Sequence, residues 1–257
     1  MIAKARIGVD FFDDRYGGAY RGRAMLVSGK SGSGKSVLAV QFLAKGIRQG
    51  ERGLLLSGRQ AADVVLYAQA LGLPLDEAVT TGDLIVLEYH DYVPGKNEAT
   101  LTIPPDGFVQ LQEIISSNGV QRVVLDTCLP WVVTPAGANM AEHVFSFIRA
   151  FDRLGTTTLL TLPKPISPIA FRLKSVLEET VPISIVLQKE GEQRTWIVSK
   201  YLGEARLDDG VPFVIDSGVG IRKAPEAPAL SPLTRQGPAA ATAPASAAPI
   251  PVSYTHL

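Results

Sequence analysis

Apolar residues recur along the chain in two patterns that alternate with each other. Short consecutive runs are typical of strands buried on both faces, and longer segments with apolar positions every three to four residues are typical of helices. The predicted strands are 24–28, 53–57, 83–89, 122–125, 157–162 and 182–188. The predicted helices are 35–50, 61–72, 107–119 and 141–155. This alternation predicts an α/β fold in three layers with a mostly parallel central sheet.

The last apolar runs differ from the earlier ones because no helical segment separates them. Residues 194–202 and 211–216 are predicted to be strands that lie antiparallel at the C-terminal end of the domain. After Lys223 the composition changes, since residues 224–251 contain seven prolines and ten alanines. Such a segment has too little apolar surface to offset its ordering entropy, so we expect a disordered linker or tail.

The final six residues, 252–257, read VSYTHL and do not continue the composition of the segment before them. They resemble the translation of a sequencing-library adapter, and we expect them to be an assembly artefact. If they are, the intact protein could continue past the linker. The predicted folded domain is therefore residues 1–223.

Composition and charge narrow the class of protein. The 257 residues are 46% hydrophobic and 19% charged, as in ordinary globular proteins, and the formal net charge is zero. A neutral chain makes nucleic acid an unlikely partner. Cys128 is the one cysteine, which excludes an internal disulfide. No apolar run has the length of a membrane span and the N-terminus has no signal-peptide core, so we expect a cytoplasmic protein without membrane attachment.

A run of glycine and small polar residues joins the first long strand to the first long helix. It fits the Walker A pattern G-x-x-x-x-G-K-[ST]. Glycines let backbone amides approach phosphate oxygens, and the helix N-terminus adds partial positive charge. The lysine reaches the β- and γ-phosphates of ATP, and the final hydroxyl ligates Mg²⁺. The residues predicted to bind the nucleotide are Gly29, Lys30, Ser31, Gly32, Ser33, Gly34, Lys35 and Ser36.

A carboxylate that would hold the same Mg²⁺ lies at the end of a predicted buried strand. Asp126 follows the run RVVL, in the position of a Walker B acid. Ligands bind off the carboxyl ends of parallel strands, so we expect Asp126 and Ser36 to lie close together. The alternative interpretation is an aspartate that caps a turn. Thr161, at the end of another predicted strand, is a weaker candidate for sensing the γ-phosphate, and Cys128 is interpreted as a packing residue.

Four segments together resemble the KaiC-like branch of the RecA-type P-loop ATPases. They read IGVDFFDDRYGGAYRGR (7–23), RVVLDT (122–127), DRLGTTTLLTL (152–162) and WIVSKYLGEARLDDGVPFVIDSGVGI (196–221). With the phosphate loop, the resemblance covers nearly all of residues 6–222. It implies a RecA-type fold that forms homo-oligomeric rings, usually hexamers, with ATP bound between subunits.

Two positions depart from the pattern of that family. After the second strand the family usually carries paired glutamates that activate water, whereas this chain has Arg59 and Gln60, with no acidic residue between Arg52 and Asp63. A general base contributes about 10²–10⁴-fold in rate, so turnover should be slow. Gln60 would still orient a water, and Arg59 either contacts phosphate or pairs at the surface.

The second departure lies in the closing segment. In the family a lysine and an arginine reach the γ-phosphate of the neighbouring subunit. Lys200 matches the lysine, although a solvated lysine at a strand edge remains the alternative, and Leu202 stands where the arginine belongs. An arginine finger is worth about 10³–10⁵ in rate, so its absence also predicts slow hydrolysis.

These observations leave four hypotheses. The first is an ATP- and Mg²⁺-dependent regulatory switch with weak or absent hydrolysis, acting on a protein signalling partner that the sequence does not identify. The second is an active ATPase that takes its carboxylate from elsewhere, such as Glu88, or from a neighbouring subunit. The third is a recombinase-like DNA-binding ATPase, which the neutral charge disfavours. The fourth is autophosphorylation, for which no specific acceptor was found.

Overall fold

The computed structural model describes residues 3–73, 75–88, 105–132, 139–204 and 210–225, with the backbone alone described for residues 105–107. The predicted tail, 224–251, lies outside the described residues except for its first two positions, and residues 252–257 lie outside them entirely.

Strands and helices alternate through most of the described chain. The strands are β1 (Lys4–Ala5), β2 (Ala19–Tyr20), β3 (Ala24–Gly29), β4 (Gly53–Ser57), β5 (Leu84–Glu88), β6 (Arg122–Asp126), β7 (Thr157–Pro163), β8 (Ile183–Glu190), β9 (Gln193–Tyr201), β10 (Val211–Asp216) and β11 (Gly220–Lys223). The helices are α1 (Asp10–Tyr16), α2 (Lys35–Ile47), α3 (Ala61–Ala70), α4 (Asp76–Thr81), α5 (Pro105–Ser117), α6 (Leu129–Val132), α7 (Met140–Leu154) and α8 (Pro168–Thr180).

Nine of the described strands form one sheet, in the order β11-β10-β9-β8-β3-β7-β6-β4-β5. The six strands from β8 to β5 are parallel, with β3 between β7 and β8. The strands β9, β10 and β11 extend the sheet as antiparallel neighbours of β8. This confirms the predicted RecA-type P-loop fold, including its antiparallel C-terminal strands. The short strands β1 and β2 pair separately.

Helices cover both faces of the sheet. Met25 and Val27 of β3 belong to one buried cluster, with side chains of α1 to α4 such as Phe42. Leu26, between them, belongs to a second cluster with side chains of α5 to α8 such as Phe151. Because successive side chains of a strand point to opposite faces, β3 contributes to both clusters and is buried throughout. The phosphate loop therefore follows a strand held rigidly at the centre of the sheet.

A buried ion pair lies at the start of β6, at the opposite end of that strand from Asp126. The Arg122 side chain is fully buried and pairs with Glu51, which also pairs with Arg21 at 2.5 Å. The Arg122 guanidinium donates to the backbone carbonyls of Phe42 and Arg6, each at 2.9 Å. Burial raises the pKa of Glu51, but the hydrogen bonds and charges of Arg122 and Arg21 outweigh it, so the pKa is lowered overall.

Some elements were not predicted from the apolar pattern. Helix α8 is one of them, because it buries only two side chains, Leu173 and Leu177, and so shows little periodicity. Its start is nevertheless well marked, since Ser167 caps it through the Ala170 amide and Pro168 occupies its first position. Within the described residues, no helix has the length and apolar character that a bilayer crossing needs.

Candidate functional site

The loop between β3 and α2 has a backbone that only glycine accommodates easily. Gly32 and Gly34 have φ values of 72° and 109°, in the left-handed region. At Gly29 the restriction is close packing, since a Cβ atom would lie 2.4 Å from the carbonyl oxygen of Leu187. The first amides of α2 have no acceptor within the helix and face this loop. The loop therefore has the form of a cradle for phosphate oxygens.

Lys35 lies at the first position of α2 and folds back over the loop. Its Nζ donates to the backbone carbonyls of Gly29 at 2.7 Å and Lys30 at 3.0 Å. Burial lowers the pKa of Lys35, and the negative charge of Asp126 acts in the opposite direction. The ammonium group is thus held at the cradle, where a phosphate oxygen would lie.

The two predicted magnesium ligands meet although they are 90 positions apart. The Ser36 hydroxyl donates to Asp126 Oδ2 at 3.0 Å. The other carboxylate oxygen, Oδ1, accepts a hydrogen bond from Thr161 Oγ1 at 2.8 Å. A hydroxyl and a carboxylate are the hard oxygen ligands that Mg²⁺ prefers, so the donor set fits this ion. The fully buried Thr161 fixes the carboxylate orientation. Asp126 is the last residue of β6 and Thr161 lies near the end of β7, whereas Ser36 is the second residue of α2, after the loop that follows β3.

A cleft of about 520 Å³ opens beside the loop. Besides loop residues and Arg59, it is lined by five side chains that sequence analysis did not assign to the site. These are Val37, Tyr67, Leu71, Arg194 and Ile215. The Arg59 guanidinium lies 5.6 Å from the centre of the Tyr67 ring, within cation–π range. The cleft therefore combines cationic side chains, among them Arg194 of β9, with an apolar wall. This wall is contributed by α2, by α3 with the residue that follows it, and by β10.

The structure separates Gln60 from this cleft. Gln60 is the exposed N-cap residue of α3 and is not among the residues that line the cleft, whereas Arg59 is. The Glu88 carboxylate at the end of β5 accepts a hydrogen bond from the Ala61 amide at 2.7 Å. Glu88 therefore caps the first turn of α3, directly after the Arg59–Gln60 pair in the chain. The roles predicted for Gln60 and Glu88 in water activation stay predictions.

Lys200 lies on β9 and lines a different pocket, together with residues of α8 such as Glu178 and Glu179. Its Nζ donates to the backbone carbonyls of Glu178 and Glu179, each at 2.8 Å, near the end of α8. Burial lowers the pKa of Lys200, and the charges of Glu179 and Glu178 raise it in part. Lys200 is not among the residues lining the cleft beside the phosphate loop, and the Leu202 side chain is exposed. The role of Lys200 across a subunit boundary stays a prediction.

Cys128 follows Asp126 by two residues and is completely buried. Burial raises the pKa of its thiol to about 12, which removes the thiolate at neutral pH. Its position fits the interpretation as a packing residue.

Comparison with known proteins agrees with this geometry. The family model described as "ATPase: KaiC" matches residues 5–226. The chain belongs to the KaiC ATPase family. The chain is 28% identical to the circadian clock oscillator protein KaiC of Thermostichus vulcanus over 228 residues, and also 28% identical to that of Synechococcus elongatus over 235 residues. KaiC 1 of Synechocystis is 27% identical over 223 residues.

These alignments cover most of this chain and less than half of each relative. The first two cover 86% of the chain and 44% of the relative, and the third covers 83% and 43%. The chain thus corresponds in length to about one half of these clock proteins. What membership supports is a KaiC-type P-loop ATPase domain.

Proposed function

We propose that this KaiC-family domain binds ATP with Mg²⁺, hydrolyses it slowly or not at all, and acts as a nucleotide-dependent oligomeric switch. The observation that carries the proposal is the composition of the cleft beside the phosphate loop. Arg59 lines it at the place where the family resemblance predicts a catalytic carboxylate, and no aspartate or glutamate is among the described residues that line it.

The charges in and around the cleft favour binding of a polyanion. Lys35, Arg59 and Arg194 line the cleft, and the Asp126 carboxylate beside it receives hydrogen bonds from Ser36 and Thr161. When Mg²⁺ is bound, it neutralises part of the phosphate charge and polarises the γ-phosphoryl group. Ser36 and Asp126 would hold the ion, Lys35 would contact the phosphates, and the apolar wall of the cleft would receive the base.

The charged side chains in and around the cleft also disfavour rapid hydrolysis. A water attacking the γ-phosphate needs a group that orients it and accepts its proton, which is worth about 10²–10⁴-fold in rate. Arg59 is a cation at neutral pH and has no capacity to accept a proton. Two carboxylates of the region are engaged in hydrogen bonds: Asp126 with Ser36 and Thr161, and Glu88 with the first turn of α3.

Oligomerisation is part of the proposal because one chain leaves Lys200 away from its own phosphate loop. In a ring such as a hexamer, Lys200 of one subunit would leave its carbonyl partners on α8 and approach the nucleotide of the next. With Leu202 in place of an arginine, only one such cation would act between subunits. Nucleotide binding would then change assembly, and a protein signalling partner would recognise the assembled form.

The test uses the full chain with and without MgATP. Ligand at about 100 times its Kd should stabilise the domain by roughly 2.7 kcal/mol, or about 5–10 °C in melting temperature. Lys35→Ala should abolish this shift. Arg48→Ala, an exposed change just after the far end of α2, should retain it. Phosphate release is measured on the same samples, and mass by light scattering reports nucleotide-dependent assembly.

A Lys35-dependent shift, phosphate release no higher than in Lys35→Ala, and a change of mass with MgATP would support the switch. No shift in the unaltered protein would contradict the proposal at its first step. A shift accompanied by no change in mass would retain nucleotide binding and contradict the oligomeric switch.

An active ATPase is the second candidate, because the Glu88 carboxylate lies beside the start of α3. If it leaves the Ala61 amide and turns towards the cleft, it would serve as the missing base. Steady phosphate release that falls at least tenfold in Glu88→Gln would favour this alternative. The matched control is Glu113→Gln, an exposed glutamate on α5.

A further inference from the structure

A second cavity adjoins the start of the phosphate loop, and its lining residues differ from those of the nucleotide cleft. Its volume is about 330 Å³, within the range of small-molecule sites. It is bounded by the end of β3, the segment after β7, helix α8 and the second half of β8. Gly29 and Lys30 of the phosphate loop line this cavity, and it has no lining residue in common with the cleft on α2 described above.

Positive charge is concentrated around this cavity. Lys30, Lys164, Lys174 and Lys189 line it, and Glu190 is the carboxylate among the described residues that line it. Lys174 is neutralised by an ion pair with Glu178 at 2.6 Å. The other three lysines form no ion pair within the described part of the chain. Because like charges held near one another are unfavourable, an anion between them would be stabilised.

Part of the remaining lining is apolar, and Ser28, Ser175 and Gln188 add uncharged polar groups. Pro165, Phe171, Val186 and Leu187 line the cavity. The Phe171 ring is 56% exposed, which is high for a large aromatic side chain. A ligand that covers this ring would remove apolar surface from water. An inorganic anion would neutralise only the lysine charges, whereas an anion with an apolar body would also cover the Phe171 ring.

We propose that this cavity, named here the lysine cavity, binds a small organic anion. The ligand has one phosphate, sulfonate or carboxylate group and an apolar body about the size of one aromatic ring. Lys164 and Lys189 contact the anionic group, and Phe171 packs against the body. The inference does not depend on the proposed nucleotide switch, because the two pockets have different walls.

The position of the lysine cavity links it to the phosphate loop. The Lys164 amide donates to the Gly29 carbonyl at 3.0 Å, the same oxygen that accepts from Lys35 Nζ. A ligand bound to the Lys164 side chain would therefore act on a backbone segment that is hydrogen-bonded directly to the loop. By linkage, such a ligand and a nucleotide would change each other's affinity by the same factor.

Phenyl phosphate is a suitable probe, because it has one dianionic group on one ring. Its dissociation constant for the full chain is measured by titration calorimetry and ligand-observed NMR. Inorganic phosphate has only the anionic group and phenol has only the ring, so each should bind about tenfold more weakly than phenyl phosphate, or weaker still. Lys164→Ala should weaken phenyl phosphate binding roughly tenfold or more, as expected for loss of a charge-assisted hydrogen bond.

Two further variants make the outcome specific. Phe171→Ala should weaken binding of phenyl phosphate but not of inorganic phosphate, because it removes only the apolar contact. Arg172→Ala, an exposed cation beside it on α8 that does not line the cavity, should leave the affinity unchanged. Both Lys164 and Phe171 are exposed, so neither change should unfold the protein, which melting temperatures check.

Lys35→Ala separates this site from the phosphate loop. Retained binding in Lys35→Ala together with loss in Lys164→Ala would support the lysine cavity, whatever the result for MgATP. Loss in Lys35→Ala with unchanged affinity in Lys164→Ala would place the probe in the phosphate loop and overturn the inference. Equal affinity for phenyl phosphate and inorganic phosphate, or no binding of the probe at 10 mM (roughly −2.7 kcal/mol), would overturn it as well.

Discussion

The buried pair of Arg122 and Glu51 offers a quantitative test of what fixes the strand that carries Asp126. Arg122→Met keeps the length and most of the volume of the side chain while removing its charge and its hydrogen bonds. Arg122 and Asp126 are the first and last residues of the five-residue β6. They are therefore about 13 Å apart at 3.3 Å per residue. The substitution should therefore lower the free energy of unfolding without altering the residues of the candidate nucleotide site.

The expected loss follows from what the change leaves behind. Removing one partner of a buried ion pair typically costs about 3–5 kcal/mol, because the other charge stays buried. Here Glu51 keeps a partner in Arg21, whose side chain is 44% exposed, which points to the lower end of that range. We therefore expect a loss of about 3 kcal/mol at pH 7. At about 2–4 °C per kcal/mol for a domain of this size, the melting temperature should fall by roughly 6–12 °C.

The pH dependence gives an independent check. The pKa of Glu51 is lowered below its ordinary value of 4.5, so the pair contributes stability above that value. This contribution is lost as the pH falls through the lower pKa of the folded state. The difference in stability between the unaltered protein and Arg122→Met should therefore be greatest near neutral pH and should shrink below about pH 4.5.

Urea unfolding of the full chain, followed by tryptophan fluorescence and circular dichroism, measures these differences. Arg52→Met is the matched control, because Arg52 is exposed and lies 3.7 Å from Asp83 in a surface pair, which should be worth less than about 1 kcal/mol. A loss below about 1 kcal/mol for Arg122→Met, or a loss independent of pH, would refute the reasoning. MgATP should still raise the melting temperature of Arg122→Met, because the change lies outside the candidate nucleotide site.

Three other changes test the site directly. Thr161→Val removes the hydrogen bond to Asp126 and should weaken Mg²⁺-dependent ATP binding roughly tenfold, with recovery in Thr161→Ser; equal binding by both variants would contradict a positioning role. Replacing Arg59 and Gln60 together by glutamate should raise phosphate release by about 10²-fold while weakening nucleotide binding, and unchanged release would show that a carboxylate is not what the site lacks. Cys128 should resist iodoacetamide at pH 8 in the folded protein and react after unfolding, as read by mass spectrometry; rapid reaction of the folded protein would contradict its burial.

The parts of the site that sequence could predict are those encoded locally. The phosphate loop is one continuous segment between a buried strand and an amphipathic helix, so its glycines, Lys35 and Ser36 are recognisable together. Asp126 is also recognisable from local sequence. It directly follows the apolar run of a buried parallel strand, and this places its carboxylate at the carboxyl end of the strand. That Ser36 and Asp126 meet follows from the rule that the carboxyl ends of parallel strands share one edge of the sheet.

The parts that sequence could not predict depend on long-range packing. Arg194 and Ile215 reach the cleft because β9 lies antiparallel beside β8 and β10 lies antiparallel beside β9, and neither residue has a local signature. The partner of Glu88, the Ala61 amide, depends on how α3 begins after β4. Arg122 fell within a run interpreted as a buried strand, yet its ion pair joins residues 71 positions apart, which periodicity does not reveal.

The cleft wall has a consequence for the biogenesis of the protein. Arg194 hydrogen-bonds to the Gly32 carbonyl across 162 positions, and the Gln41 side chain accepts from the Ile221 amide across 180. At roughly 5–20 residues per second, a ribosome needs about 8–30 s between the phosphate loop and Arg194. During that time the loop and α2 exist without the strands that complete the cleft. A nascent chain therefore gains its full nucleotide site only near the end of the synthesis of the domain, and a nucleotide that needs this wall would bind finished domains in preference to partial ones.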